Sequence, residues 1–155
     1  MSRKHQQGLA TVETAIVALV ALMTLFGTIE VARVFFVHVT LEEATRRGAR
    51  VAAVCQVNDP AIREITVLSS GGPASDVIFG LTTANVVVQY LDQAGNPLPD
   101  PVAAYGLIRY VRVRIVGFTH QLLIPLFIRS FLTDDFETTL PAESLGVWPG
   151  GFSPC

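Results

Sequence analysis

The sequence predicts an α+β protein: a long N-terminal helix, half transmembrane span and half stalk, packed on a small antiparallel β-sheet. Three observations predict it. Residues 9–29 are mostly apolar, and residues 15–29 carry no charge at all. Residues 34–55 place an apolar or small side chain at each helical step. The last two thirds holds short β-like runs separated by connectors rich in Gly and Pro.

Size and composition bound the reading. The chain has 155 residues, half of them hydrophobic and 15% charged. That fits one membrane segment plus one small domain of roughly 100 residues, without room for two sizeable cores. The net charge is −2 and no basic block occurs, so nucleic-acid binding has no support.

Residues 1–8 form a short polar leader carrying Arg3 and Lys4. The 21 residues from 9 to 29 are enough to cross a bilayer as a helix. Arg3 and Lys4 argue for a cytoplasmic N-terminus, while Arg33, Arg46, Arg47 and Arg50 beyond the span pull the other way. A secretory signal peptide is the first competitor, but its nearest cleavage triplet, "EVA" at 30–32, puts Glu30 at the −3 position. An uncleaved anchor is the second, and it gives no reason for Glu13. A carboxylate at the edge of a span costs on the order of a few kcal/mol unless a partner satisfies it.

The helix is expected to run on to residue 54, because no Pro occurs before Pro60. Val34, Val37, Leu41, Ala44, Gly48, Val51 and Cys55 step by threes and fours along one seam. Glu43 and Arg47 are spaced to pair at i,i+4. Gly48 lowers helix propensity by about 1 kcal/mol against Ala, yet allows a neighbour to approach closely. Such a helix, about 69 Å over residues 9–54, far exceeds a bilayer. Its second half, residues 30–57, is therefore a stalk, with a β-rich domain at 58–155.

Asn58-Asp59-Pro60 ends the helix. Strand-like runs follow at 62–68 ("IREITVL"), 85–91 ("NVVVQYL") and 107–118 ("LIRYVRVRIVGF"), with a last one at 135–143 ("DFETTLPAE"). Residues 120–132 read as an apolar loop or short helix interrupted by Pro125, and the tail from 146 as irregular. The sheet needs the helix seam to complete its core.

Cys55 and Cys155 lie at the two ends of the soluble part. In an oxidising compartment a bridge between them is favoured; the alternative is a buried thiol at Cys55 and a free one at Cys155. His5, His38 and His120 lack metal-ligand spacing, "SSGGP" lacks the Lys and Ser/Thr of a phosphate loop, and no nucleophile has a His in a recognisable arrangement. Asp134, Asp135 and Glu137 read as a solvated loop, and Arg109, Arg112 and Arg114 as a solvated strand face. Neither an enzyme nor a cofactor is expected.

The N-terminal arrangement resembles a class III signal of type IV prepilins: a basic leader ending in Gly8, then "LATVE" with Glu13 fifth after that Gly, then an apolar run. "GTIEVARVFF" and "EEATRRGARVAAV" look like the segments that close the span and follow it in TadE-like pseudopilins of the tight-adherence (Flp) pilus system. "TTLPAESLG" looks like that family's closing strand, with Glu143 at a recurrent acidic position. Thr14 stands where the major pilins carry Phe or Tyr, and the chain is much longer than the major Flp pilin.

The resemblance implies a minor pilin or pseudopilin at the bacterial inner membrane, cut by a prepilin peptidase between Gly8 and Leu9. Its partners would be a sister pseudopilin, the major Flp pilin and the inner-membrane assembly platform. Glu13 would neutralise the new α-amino group of Leu9 on an adjacent subunit, because an unpaired charge in a low-dielectric helix bundle is strongly unfavourable. Glu30 and Arg33, at i,i+3, would pair at the membrane–water boundary or lie on a solvated helix surface. The rival reading is an uncleaved single-span periplasmic binding module with a ligand groove near 118–132.

Overall fold

The computed structural model describes residues 3–122, 130–132, 136–153 and 155 of the chain. One helix, α1 (Arg3–Val54), takes up the first third without a break. Its 52 residues extend about 78 Å at the usual rise. Threonines within it do not leave hydroxyls unsatisfied: Thr14, Thr24 and Thr28 donate to the carbonyls of Ala10, Val20 and Thr24 at 2.8, 2.9 and 2.8 Å. Apolar surroundings demand this satisfaction.

The two halves of α1 differ in what covers them. From residue 10 to residue 29 every side chain is exposed, with only Gly27 partly covered. Beyond that stretch the predicted seam turns inward: Val37, Leu41, Ala44, Gly48 and Cys55 are buried and Val51 partly so. Val34 is the exception at 40% exposure, because the sheet begins to cover α1 only one turn later. The buried face is also wider than one seam, taking in Thr45, Ala49, Ala52 and Ala53. Two elements share α1, the sheet and a second helix, and small residues let both come close. The expected Glu43–Arg47 pair forms on the outer side at 2.9 Å.

That second helix, α2 (Pro60–Thr66), replaces the strand expected at 62–68. Asp59 caps it by accepting from Ala61 N at 2.9 Å, and Pro60 occupies the first turn, where its missing N–H is not needed. Ile62 and Thr66, four apart, face the core. A Cβ on Gly48 would meet Thr66 Oγ1 at 2.1 Å, so α2 seats itself where α1 has no side chain.

The main sheet has three antiparallel strands in the order β1-β2-β5. They are β1 (Val86–Leu91), β2 (Tyr110–Ile115) and β5 (Phe136–Pro141), in register from Val86↔Ile115 and Ile115↔Phe136. Val111, Val113 and Ile115 point into the core against α1 while Arg112 and Arg114 point away, the expected period of two. α1 packs on β2 and β5. Thr45 and Thr138 share a hydrogen bond of 3.0 Å across that contact. On the outer face Arg114 lies 3.4 Å from Glu137 and Arg112 donates to Thr139 Oγ1 at 3.1 Å.

Two short ribbons complete the described residues. β3 (Thr119–Gln121) pairs with β4 (Ser130–Leu132), so the ends of the segment read as a loop or short helix are strands; Pro125 lies outside the described residues. Asp134 and Asp135 of the acidic cluster also lie outside them. The tail, read as irregular, forms the hairpin β6 (Val147–Trp148) and β7 (Gly151–Phe152). The architecture is α+β, a long apolar helix on a small antiparallel sheet, as the sequence predicts.

Candidate functional site

The residues singled out by sequence fall at three levels along α1. At the first level lie Gly8, Leu9 and Glu13, all within the continuous helix. Glu13 is exposed, and among the described residues no ion pair involves it. Around it Val12, Ile16, Val17, Leu19 and Val20 are each more than half exposed. The helix Ala10–Val54 contains a window of mean hydropathy 2.2 and is long and apolar enough to cross a membrane. The fold thus leaves this whole surface, carboxylate included, unused inside the chain.

The second level lies one residue past the apolar run. Arg33 Nη1 donates to both carboxylate oxygens of Glu30, at 2.9 and 3.0 Å. Of the two sequence readings for this pair, the paired one holds. Glu30 is only 7% exposed, because β3 brings His120 over it. His120 Nε2 stands 3.9 Å from Glu30 Oε1 and is itself buried, with no hydrogen-bond partner among the described residues. Burial pushes the imidazole below its ordinary value of 6.5, the Arg33 charge adds to that, and Glu30 opposes it. The ring is therefore neutral at pH 7, resting on an ion pair that is already complete.

The sequence treats His120 only as an isolated histidine. Nothing local marks it as the cover of a residue 90 positions away, since that contact exists only once β3 is laid against α1. Beside it opens a groove of about 480 Å³, lined by Arg33, Phe36 and Val37 on α1, the turn at 77–80, and residues 119–121. The groove expected near 118–132 coincides with it in part; residues 123–129 lie outside the described residues.

At the third level the tail returns to the end of α1. Helix C-termini leave carbonyls without partners. Here Glu143 N and Leu145 N donate to Ala53 O at 3.0 and 3.3 Å, and Gly146 N donates to Val54 O at 2.6 Å. Gly146 has φ +78, and a Cβ there would meet Gln56 N at 2.8 Å, so only glycine fits the docked turn. Cys55 and Cys155 are joined by a disulfide with Cα atoms 5.7 Å apart, closing a separation of 100 residues. Cys155 N also donates to Asp59 Oδ2 at 2.9 Å, tying the tail to the α2 cap. The acidic side chain of Glu143 is exposed; its backbone makes the contact.

The family model described as TadE-like protein matches residues 8–50, the stretch that begins at Gly8, carries Glu13, Glu30 and Arg33, and ends within the stalk. No curated protein and no solved structure matches the chain. Residues 8–50 are thus similar to TadE-like protein, a likeness that covers less than a third of the chain.

Proposed function

We propose that the protein is a minor pilin or pseudopilin that takes part in initiating or assembling a Flp-type pilus. In this reading a prepilin peptidase cuts between Gly8 and Leu9, after which the domain stands on the periplasmic side of the bacterial inner membrane. The partners are then a sister pseudopilin, the major Flp pilin and the membrane assembly platform. The observation that carries the reading is Glu13: exposed, without an ion-pair partner among the described residues, and set in a sheath of exposed apolar side chains.

A carboxylate in that setting is unfavourable in a lone helix and favourable against a cation. Cleavage before Leu9 would create such a cation, the α-amino group, four positions before Glu13 and about 6 Å from it along the axis. Between neighbouring helices displaced along their axes by about that rise the amine of one subunit comes level with Glu13 of the next, and a pair formed there sets the register of subunits.

The test is pilus assembly in cells whose chromosomal copy carries Glu13→Leu or Glu13→Gln. Both variants should reach the membrane in normal amounts and fail to support piliation. Wild-type piliation with Glu13→Leu would remove this role and favour an uncleaved anchor.

A further inference from the structure

We propose that the turn bearing Val77 and Phe79 rests on the bilayer surface and inserts Phe79 into the lipid headgroup layer beside α1. The inference rests on the reading that residues 9–29 cross the bilayer. Phe79 is 94% exposed, the most exposed of the large hydrophobic side chains among the described residues, and Val77 is 51% exposed. Their presentation is built into the turn. Ile78 between them is buried at 3%, and Ser75 Oγ accepts from Val77 N and Ile78 N at 3.2 and 3.0 Å. Ser75 N donates to Leu81 O at 2.9 Å, and Gly80 takes φ +85 to close the loop. An anchored turn that points a phenyl ring fully outward is arranged to meet an apolar phase.

Its position selects lipid as that phase. The turn shares a groove with Arg33 and Phe36, and Phe36 lies seven residues past the end of the span. That is about 10 Å along the helix, and helical side chains lean back toward the N-terminus. The ring of Phe36, 56% exposed, therefore hangs at headgroup height, level with the Phe79 turn. The apolar surface is continuous with the span below, where residues 10–29 are exposed except for Gly27. Arg33 lines the groove with 37% of its side chain exposed and, while Nη1 holds Glu30, keeps its other guanidinium nitrogens for the depth where lipid phosphates lie. Aromatic side chains and basic residues at that depth are the usual anchors of a membrane–water interface.

The test uses tryptophan as a depth gauge in the full chain. Trp148, the chain's one tryptophan, is exposed beside Gly146, which docks on Val54 at the far end of the stalk, about 37 Å beyond Ile29. Three forms are reconstituted in vesicles of phosphatidylglycerol and phosphatidylcholine: the native chain, Trp148→Phe with Phe79→Trp, and Trp148→Phe with Leu19→Trp. The phosphatidylcholine is unlabelled, brominated near the headgroup, or brominated near the chain end. Emission from the Phe79→Trp form should fall by roughly half or more with bromine near the headgroup and change little with deep bromine, as for an interfacial ring. The Leu19→Trp form should respond to deep bromine, and Trp148 to neither.

Unquenched emission from Phe79→Trp, with Leu19→Trp quenched, would overturn the proposal and leave the span intact. Acrylamide in the aqueous phase then tells which rival holds: access means the ring stands in water, and shielding means another protein copy covers it. Loss of quenching at Leu19→Trp as well would defeat the span reading and this inference with it.

Discussion

The two halves of α1 are one unbroken helix with opposite relations to the rest of the chain. Over residues 10–29 large apolar side chains such as Val12, Ile16, Leu19, Leu22 and Phe26 are interspersed with Ala and Thr, and all but Gly27 are exposed. Over residues 37–55 the inward face holds Val37 and Leu41 but is otherwise small, with Ala44, Thr45, Gly48, Ala49, Ala52 and Cys55 buried where β2, β5 and α2 pack. The difference shows that hydrophobicity alone does not tell where a helix belongs. A mostly apolar surface exposed all round suits a partner supplied from outside, whether lipid or other helices. Small residues on one face let two elements of the same chain close on the helix, at Gly48 to the point where no Cβ fits. The boundary between the two regimes is marked by charge: Glu30 and Arg33 pair there under His120.

Substitutions should respect that boundary. The largest loss of domain stability is expected from Cys55→Ala with Cys155→Ala. Closing a loop of this size is worth about 4–5 kcal/mol in chain-entropy models, and the unfolding midpoint in detergent should fall accordingly. An unchanged midpoint would mean that the hydrogen bonds of residues 143–146 hold the tail unaided. Next comes Leu41→Ala, which should cost about 2–5 kcal/mol because the side chain is fully buried. Leu19→Ala, in the outward-facing half, should leave the same midpoint within about 0.5 kcal/mol. Equal losses from the two would erase the contrast between the halves.

The smallest expected effect is on pH dependence and belongs to His120. Its folded pKa lies below the ordinary 6.5. A depressed value means the neutral ring supports the fold above pH 6.5, and that support is lost as pH falls through the folded value. Stability of the native chain should therefore decline below about pH 6.5, and His120→Phe should flatten that part of the profile. An identical acid limb in the variant would place the titrating group elsewhere.

How much of this was legible in the sequence depends on the range of the cause. α1 was legible because apolar runs and three-four steps are local, and β1, β2 and β5 because Val111, Val113 and Ile115 alternate with arginines. α2 was misread as a strand, since Ile62, Ile65, Thr66 and Val67 are β-branched and the run is short. The correcting signal was present: Asp59-Pro60 is an N-cap followed by a first-turn proline, and it begins a helix as well as ending one. The tail hairpin was hidden by its length, two residues a strand. His120 over Glu30 was not legible at all, because it depends on how β3 is laid against α1. Gly48 lay between these cases: close approach was expected, but Thr66 as the neighbour needed α2.

The proposed function makes residues 9–29, with Glu13 among them, a surface that cleavage prepares for other subunits. The most direct test is the N-terminal residue of the protein isolated from its native membrane, read by mass spectrometry. The expected chain begins at Leu9, with or without a methyl group on its amine. A chain beginning at Met1 or Ser2, in cells with an active prepilin peptidase, would contradict it and leave α1 as a plain anchor for the domain.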